Sequence, residues 1–346
     1  MKSSGSVYKH NCFAECGKMF ILIALFFCLS FLALCVGSVD ISLNDIGQVL
    51  FGKASEDTHY IVCELRLPQM ITAILAGAAL AVSGMLMQTL FLNPLADPSL
   101  LGINSGASLG AAVAFLVLGG SWSVGDEAVS GVMLTIGAAF IGASIVIVVL
   151  VACSKVLSGN LALLIVGVML SFIISAIISL LSFYATADGV RSFVVWGMGD
   201  FSGVLLSRLP VMMVLVIVPI ACLFRLASPL NALLLGADYA TNLGINVRKV
   251  RTMVLIVTGI LTATVTALCG PISFIGLTVP HIARMVFRTA DHKQLLPACV
   301  LIGANLALFS LIASHISGER GTLPLAAITP LIGVPMVFYI LVKSRH

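Results

Sequence analysis

The sequence predicts an all-α, polytopic integral membrane protein of about ten transmembrane helices, with both termini in the cytoplasm. Composition is the first reason, because 60% of the 346 residues are hydrophobic and only 9% are charged. A soluble domain carries about a quarter charged residues. Continuous apolar runs are the second reason, because about twenty such residues cross a bilayer as a helix. Barrel strands would instead alternate apolar and polar residues over about ten positions.

Composition and motifs also exclude several classes of function. The net charge is only +4 and the basic residues are scattered, so nucleic-acid binding is not expected. The nine cysteines lie mostly in or beside apolar runs, where cysteine behaves as a small hydrophobic residue. No His, Cys, Asp and Glu residues cluster with metal-ligand spacing, and no GxxxxGK(S/T) loop could hold a nucleotide. We expect no metal and no catalytic residue in this chain.

Ten apolar segments are predicted to cross the membrane. Residues 1–18 form a cytoplasmic N-terminal segment, and residues 19–346 form a single transmembrane domain. The first apolar run is too long for a signal peptide, whose apolar region covers about 7–15 residues. The eighth span is the shortest and is interrupted by glycine and proline. The predicted spans are 19–39, 67–91, 98–118, 128–153, 161–184, 208–226, 249–269, 275–287, 294–314 and 324–342.

The distribution of Lys and Arg orients these ten spans. If the N-terminus is cytoplasmic and the connections alternate sides, the inside segments hold 13 of the 18 basic residues. Lys and Arg are enriched in cytoplasmic connections of membrane proteins. An even number of spans then returns the C-terminus to the cytoplasm. Removing one span would reverse every later connection and destroy this bias.

Rows of glycine predict where helices approach closely. Gly102, Gly106 and Gly110 recur every four residues along the third span, and Gly77 and Gly84 share one face of the second. Small residues at this spacing let helix backbones come together within a membrane. We expect these rows to be packing surfaces.

The connection between the second and third spans reads as a tight cytoplasmic turn. Pro94 ends the incoming helix, because proline cannot continue the backbone hydrogen bonding. Asp97 is suited to cap the next helix, and Pro98 is suited to its first position. The pattern by itself leaves open whether this turn is only structural.

The longest cytoplasmic connection contains a short amphipathic stretch, residues 236–246, bracketed by Gly236 and Gly244. Glycine permits sharp turns, and the stretch between them is long enough for about two helical turns. A short helix on the cytoplasmic face would be a docking element for a soluble partner. The alternative is an ordinary loop whose charges only set the topology.

Two further segments are too polar or too interrupted for ordinary spans. Residues 185–207 predict an interfacial or re-entrant helix on the outer side, with Trp196 at the level of the lipid headgroups. Residues 269–284 repeat glycine and proline at membrane depth, which requires burial in protein or beside a cavity. His281 and Arg284 would share a helix face there and are interpreted as a structural pair.

At these segments the sequence resembles the permease subunits of type II ABC importers for iron–siderophore complexes, haem and vitamin B12. The resemblance covers roughly residues 19–346. Five motifs carry it, in order along the chain: Arg66-Leu67-Pro68, Gln88 through Gly106 with NPLADPSLLGINSG, GADYATNLGIN from Gly236, GPISFIGLTVPHIAR from Gly270 with Asp291-His292, and Leu323-Pro324 followed by Ile332-Gly333-Val334-Pro335.

The resemblance implies an assembly and a mechanism. Two permease subunits, a homodimer or a pair of different permeases, would enclose one pathway in the bacterial cytoplasmic (inner) membrane. Two cytoplasmic ATPase subunits would bind ATP and Mg and drive the pathway between its inward-facing and outward-facing states. An extracytoplasmic binding protein would deliver the substrate. The implied ATPase-coupling residues are Gly236, Ala237, Asp238, Ala240, Leu243, Gly244 and Ile245.

The resemblance also implies a gate and a docking surface for the binding protein. Asn93, Leu95, Ser158 and Gly159 would narrow the pathway on the cytoplasmic side. Arg66, His315 and Arg320 would meet acidic residues of the binding protein. The sequence departs from the family pattern at Gln69, where a second arginine is usual, and at Thr322, where an acid is usual.

The substrate implied first is a ferric siderophore, then haem, then cobalamin. An ion-coupled secondary transporter acting without an ATPase is the alternative. That alternative predicts an acid within a span, and the sequence has none at a span centre. An intramembrane enzyme or receptor would need a catalytic pair at membrane depth. Ser273 and His281 are eight residues apart and do not form one.

Overall fold

The computed structural model describes residues 4–37, 39, 41–119, 122–124, 127–129, 131–157, 160–316 and 321–343. Within these residues the chain is almost entirely helical. The α-helices are α1 (Ser4–Cys35), α2 (Leu43–Leu50), α3 (Glu56–Tyr60), α4 (Leu67–Phe91), α5 (Ile103–Ala112), α6 (Gly131–Val156), α7 (Asn160–Tyr184), α8 (Ala187–Gly197), α9 (Leu209–Leu223), α10 (Ala227–Leu234), α11 (Ala237–Asn242), α12 (Val247–Cys269), α13 (Ile275–Phe287), α14 (His292–Ser314) and α15 (Leu325–Lys343).

A helix lies in each of the ten predicted spans, with some different boundaries. Seven described helical segments are long and apolar enough to cross a membrane, and shorter apolar helices cover Ile103–Val117, Ile275–Phe287 and Leu325–Phe338. The predicted short helices outside the spans are also present, as α8 and α11. The structure therefore confirms a polytopic membrane protein of about ten helices.

Several helix boundaries differ from the prediction, and two of these differences change the local structure. The third span was expected from residue 98, but a 3-10 turn occupies Pro98–Leu101 and α5 begins only at Ile103. Gly102 separates them with a left-handed φ of 77°, which interrupts the helix. The fourth span was expected from residue 128, but α6 begins at Gly131 after two short antiparallel strands, β1 (Trp122–Val124) and β2 (Glu127–Val129). Valine and tryptophan favour strands over helices there.

Helix α4 is the centre of the bundle. Within Glu56–Phe91, 83% of the most apolar stretch is buried, against 17% for Leu161–Tyr184. Helices α12, α13 and α14 pack around α4. Lipid therefore meets the peripheral helices, and α4 meets mainly protein.

The predicted glycine rows are packing surfaces. Gly77 of α4 lies against Gly303 of α14, and Gly84 lies against Gly276 of α13. Gly106 of α5 lies against Gly142 of α6 in the same way. A methyl group added at any of these positions would overlap the backbone of the neighbouring helix. These helices therefore associate through close van der Waals packing of their backbones, and not through the hydrophobic effect that drives association in water.

The connections alternate between the two ends of the bundle, as ten spans require. At one end the Asn231 side chain donates to Asp291 at 2.6 Å, which joins α10 to the start of α14. At the opposite end the backbone N–H of Ala326 donates to Met198 at 2.9 Å. Helix α1 begins and α15 ends at the first of these ends. We call it the basic end, because it contains Lys18, Lys155, Arg248, Lys249 and Lys293.

Candidate functional site

The coupling segment, residues 236–246, is a short helix held between two glycine turns at the basic end. Gly236 has φ 108° and ψ 154°, a conformation that is essentially restricted to glycine. Gly244 has φ 79°, and its N–H donates to Thr241 at 2.9 Å while the N–H of Ile245 donates to Ala240 at 3.0 Å. This pair of hydrogen bonds is a Schellman motif, which ends α11 sharply. Both glycines are therefore required by the backbone path.

One side of this segment is fixed to the bundle and the other carries exposed apolar groups. Ala240 is completely buried, so it anchors α11 rather than offering a contact to a partner. Ala237, Asp238, Leu243 and Gly244 are exposed, whereas Gly236 and Ile245 are half-buried. Tyr239 is 49% exposed and Leu243 is 58% exposed. Tyr239 and the exposed Leu235 were not among the predicted ATPase-coupling residues, but they share this exposed surface. Each is an apolar side chain in a polar connection, which is the sequence feature that could have identified them.

A buried hydrogen-bond network lies directly beneath the coupling segment. His292, only 1% exposed, places Nδ1 at 2.7 Å from Asn231 Oδ1 and Nε2 at 2.8 Å from Thr89 Oγ1. The backbone N–H of His292 also donates to Asn231 Oδ1, at 2.9 Å. Three helices, α4, α10 and α14, meet in this network. Sequence reasoning did not single out Thr89 or Asn231.

Asp291 completes the network at the start of α14. The backbone N–H of Lys293 donates to its carboxylate at 3.0 Å, and the Asn231 amide donates at 2.6 Å. These donors favour the ionised form and hold the pKa of Asp291 below its usual value, against the weaker opposing effect of burial. Asp291 thereby stays charged and caps α14.

The turn predicted to gate the pathway, residues 92–97, is rigid. Leu92 has a left-handed φ of 47° and ends α4. The side chain of Asn93 accepts a hydrogen bond from the backbone N–H of Leu95 at 2.9 Å. Leu95 is exposed. Ser158 and Gly159, the other predicted gate residues, lie outside the described residues.

Asp97 caps the 3-10 turn that follows, as its position predicted. Its carboxylate accepts hydrogen bonds from the backbone N–H and the hydroxyl of Ser99. Burial raises the pKa of Asp97, and the hydrogen bonds from Ser99 offset that shift only in part. A Cβ at Gly276 would lie 2.6 Å from this carboxylate, so α13 packs directly over the turn.

Helix α13 supports the gate turn through polar side chains. The Nε2–H of His281 donates to the carbonyl of Pro94 at 2.7 Å. Arg284 donates to Gln88, whose amide in turn donates to the carbonyl of Leu277 at 3.1 Å. His281 and Arg284 share a face, and both hold α13 against the end of α4. Their contacts agree with the structural interpretation.

The residues predicted to receive the binding protein meet at the opposite end. Arg66, Gln69 and His315 line one small cavity of about 110 Å³, together with residues that follow α1. Arg66 is only 5% exposed, and its Nη1 donates to the carbonyls of Leu34 and Cys35 at 2.6 Å each. These carbonyls end α1 and have no partner within that helix. Arg320 lies outside the described residues.

The resemblance implies that Arg66 meets acidic residues of a binding protein. In the described chain its guanidinium is buried against the end of α1. The physical reason is that the carbonyl groups at the end of α1 need hydrogen-bond donors. A guanidinium carries several donors and binds these carbonyls more strongly than water does. His315 and Gln69 remain at the same cavity.

We expect Arg66→Met to destabilise the folded protein itself. The substitution removes hydrogen bonds from a charged donor to partly buried carbonyls, which costs about 3 kcal/mol. Thermal unfolding in detergent, without any binding protein, measures this effect. Arg191→Met is the matched control, because Arg191 is an exposed arginine on α8 at the same end. Equal stability of the two variants would contradict a structural role for Arg66.

Among the described residues, no group of three or more His, Cys, Asp and Glu residues could hold a metal ion. The described chain therefore carries exposed apolar side chains on the short helix at the basic end, a small cavity at the opposite end and a hydrogen-bonded turn between helices.

The model of the FecCD transport family matches residues 22–343. The chain belongs to this family. It is 36% identical over 288 residues to the vitamin B12 import system permease protein BtuC of Klebsiella pneumoniae, covering 82% of this chain and 83% of that protein. It is 35% identical over 336 residues to BtuC of Escherichia coli O9:H4, covering 96% and 95%.

A solved structure extends the family likeness to the fold. An inward-facing metal-chelate type ABC transporter matches this FecCD chain with a TM-score of 0.82 at 28% identity, covering 94% of this chain and 98% of that one. The predicted family resemblance is thereby confirmed. This FecCD chain is a membrane-spanning transport subunit and not an enzyme.

Proposed function

We propose that this FecCD chain is the permease subunit of an ATP-driven importer in the bacterial cytoplasmic (inner) membrane. The observation that carries the proposal is the match of residues 22–343 to one transport family. In this proposal the basic end faces the cytoplasm, in agreement with the enrichment of Lys and Arg there.

The coupling segment supports the ATP-driven part of the proposal. Tyr239 and Leu243 expose apolar surface on a connection outside the spans, where lipid cannot cover it. Apolar groups exposed to water at such a position indicate a protein partner. We propose that partner to be an ATPase subunit, one on each of two permeases. ATP and Mg would be bound there, with no cofactor in this chain.

The pathway is proposed to lie between two copies of this chain, with the binding protein at the opposite end. Phe172 on α7 and Leu331 on α15 are exposed, so either lipid or a second permease must cover them. The binding protein would approach the cavity lined by Arg66 and His315. Arg320, which follows His315 by five residues in the sequence, would complete the docking set. Asn93, Leu95, Ser158 and Gly159 would close the pathway at the basic end.

The proposed cargo is a large metal chelate. The curated relatives are named for vitamin B12, which is a cobalt chelate, and the solved relative is named for metal chelates in general. A ferric siderophore, haem and cobalamin are all members of this chemical class. Titrating the binding protein encoded beside this chain with one ligand of each kind would identify the cargo.

The proposal predicts that charge on the coupling segment abolishes ATPase binding. We expect Tyr239→Asp and Leu243→Asp to lose the ATPase subunit during co-purification and to lose ATP-driven uptake in proteoliposomes, because a carboxylate would have to be buried unpaired. Phe51→Asp is the matched control, because Phe51 is an exposed aromatic residue that follows α2 at the opposite end.

The same proteoliposomes separate the two transport mechanisms. Uptake that requires the ATPase subunit and ATP supports the importer. Uptake driven by a proton or sodium gradient in the absence of the ATPase subunit would instead establish a secondary transporter. An ATPase subunit that binds Leu243→Asp as tightly as the wild type would remove the coupling segment from the proposal.

A further inference from the structure

A cavity lined by positive charge lies between two membrane-spanning helices at the basic end. Its volume is about 310 Å³, and its walls are Lys155 from the last turn of α6 and Arg248, Lys249, Thr252 and Met253 from the start of α12. None of the functional roles above uses these residues. The question is which ligand the cavity suits.

The three cations of this cavity have no counter-charge in the described part of the chain. Lys155, Arg248 and Lys249 are all exposed, and no side-chain hydrogen bond or ion pair is made by any of them with a described residue. Three like charges around one cavity repel each other. Arg248 and Lys249 also lie at the first turn of α12, where the helix dipole disfavours cations. An anion in the cavity would relieve both effects.

The surface that adjoins the cations faces lipid. Three exposed side chains of α6, Ile141, Ile145 and Val148, lie on one face that continues through Ala152 to Lys155. Residues that are three or four positions apart lie on the same face of a helix, so these side chains form one continuous stripe. The stripe is therefore apolar along the membrane-spanning part of α6, and its only cation is Lys155 in the last turn.

Helix α12 presents the second wall in the same way. Met253 and Ile256 are exposed, and they lie one to two turns beyond Lys249 on the same face. The two helices pack against each other along their length. The result is an apolar furrow between α6 and α12 that ends in three cations at the membrane boundary.

We propose that this cavity binds the phosphate headgroup of an anionic phospholipid from the leaflet at the basic end. The acyl chains would lie along the furrow formed by Ile145, Val148, Met253 and Ile256. Basic pockets between transmembrane helices on the cytoplasmic side are suited to anionic headgroups. Lysine and arginine also extend along apolar surface while keeping their charge at the boundary.

A lipid suits this cavity better than an acidic surface of a soluble protein. Part of its lining is Met253, which continues into membrane-facing surface that a soluble partner could not reach. The exposed apolar side chains proposed to meet the ATPase subunit, Tyr239 and Leu243, belong instead to α11 and its C-terminal end. A phospholipid would contact the cations with its phosphate and the apolar furrow with its acyl chains, whereas a soluble anion would contact the cations alone.

Binding there would stabilise the start of α12. Asn246, the last residue of the coupling segment, accepts a hydrogen bond from the backbone N–H of Lys249 at 3.0 Å. A phosphate held by Arg248 and Lys249 would therefore fix the junction between α12 and the coupling segment. An effect of anionic lipid on ATPase coupling rests on the proposed function, whereas lipid binding by this chain does not.

The test is native mass spectrometry of the full-length chain, purified without partner subunits. The protein is exchanged into equal mixtures of phosphatidylglycerol and phosphatidylcholine, and the retained lipids are counted. We expect the wild type to retain phosphatidylglycerol selectively. Each cation near a membrane surface contributes about fivefold to the affinity for anionic lipid. The variant K155Q/R248Q/K249Q is expected to lose about a hundredfold in that preference.

The matched control is R225Q/R288Q/K293Q, which removes three exposed cations of the basic end that do not line the cavity. It is expected to keep the preference of the wild type. Equal retention of phosphatidylglycerol by the cavity variant would overturn the proposal, and so would an equal loss in the control. Displacement of the lipid by millimolar inorganic phosphate would also overturn it, because the cavity would then be a site for a soluble anion.

The single substitution Lys155→Gln separates a loss of lipid binding from a loss of the folded state. Lys155 is exposed on α6 and makes no contact that the fold requires, so we expect normal thermal stability. A fivefold loss of selectivity with unchanged stability supports the lipid site. The lipid result stands or fails without any ATPase subunit, so its failure would leave the proposed importer function intact.

Discussion

Gly84→Ala is expected to destabilise the protein strongly, although it adds only one methyl group. The new Cβ would overlap the backbone carbonyl of Gly276 on α13, and a backbone cannot rotate away as a side chain can. Helices α4 and α13 would have to separate. Overpacking a core costs about 1–3 kcal/mol and occasionally more. We expect a loss at the upper end of that range, about 3 kcal/mol.

The separation would also disturb the gate turn, because Gly276 packs on Asp97. Thermal unfolding in detergent, followed by size-exclusion chromatography, measures the loss of folded protein. Gly137→Ala is the control, because Gly137 lies in α6 and a Cβ there meets no atom within 4 Å. The control should be as stable as the wild type. Similar melting temperatures for both variants would show that α4 and α13 are not in close contact.

His292→Ala is also expected to destabilise the protein strongly. The substitution empties a fully buried site and removes the hydrogen bonds that join Thr89, Asn231 and α14. Cavity formation and unpaired polar groups together cost about 2–4 kcal/mol. His59→Ala is the matched control, since His59 is exposed on α3. We expect it to leave the melting temperature unchanged.

A double-mutant cycle tests whether the network acts as a unit. Asn231→Ala and His292→Ala remove two ends of one hydrogen bond of 2.7 Å, so their effects should not add. Residues in direct contact couple by about 0.5–3 kcal/mol. His292→Gln should recover part of the stability, because an amide can both donate and accept. Additive losses would mean that the two residues stabilise the basic end independently.

The elements that depend on composition could be predicted from the sequence. An apolar run of about twenty residues has few alternatives to a membrane helix, so all ten spans were found. The glycine turns of the coupling segment were also predicted, because Gly236 and Gly244 require backbone conformations that other residues avoid.

Features that depend on distant contacts were not predictable in the same way. Thr89 and His292 are 203 residues apart, and nothing in the periodicity of either helix pairs them. The burial of Arg66 depends on where α1 ends relative to the π-helical turn Ile61–Arg66. The hairpin of β1 and β2 replaced the expected start of a span because a few β-favouring residues outweighed a weak helix signal.

The central position of α4 has a consequence for how the protein is made. Gln88 at its end bonds to Leu277, which is 189 residues later in the chain. At a synthesis rate of 5–20 residues per second, α4 would wait roughly 10–40 s in the bilayer before that partner exists. During this interval Gly77 and Gly84 lack their final partners, Gly303 and Gly276. Assembly of the bundle is therefore completed late, when the final third of the chain has been inserted.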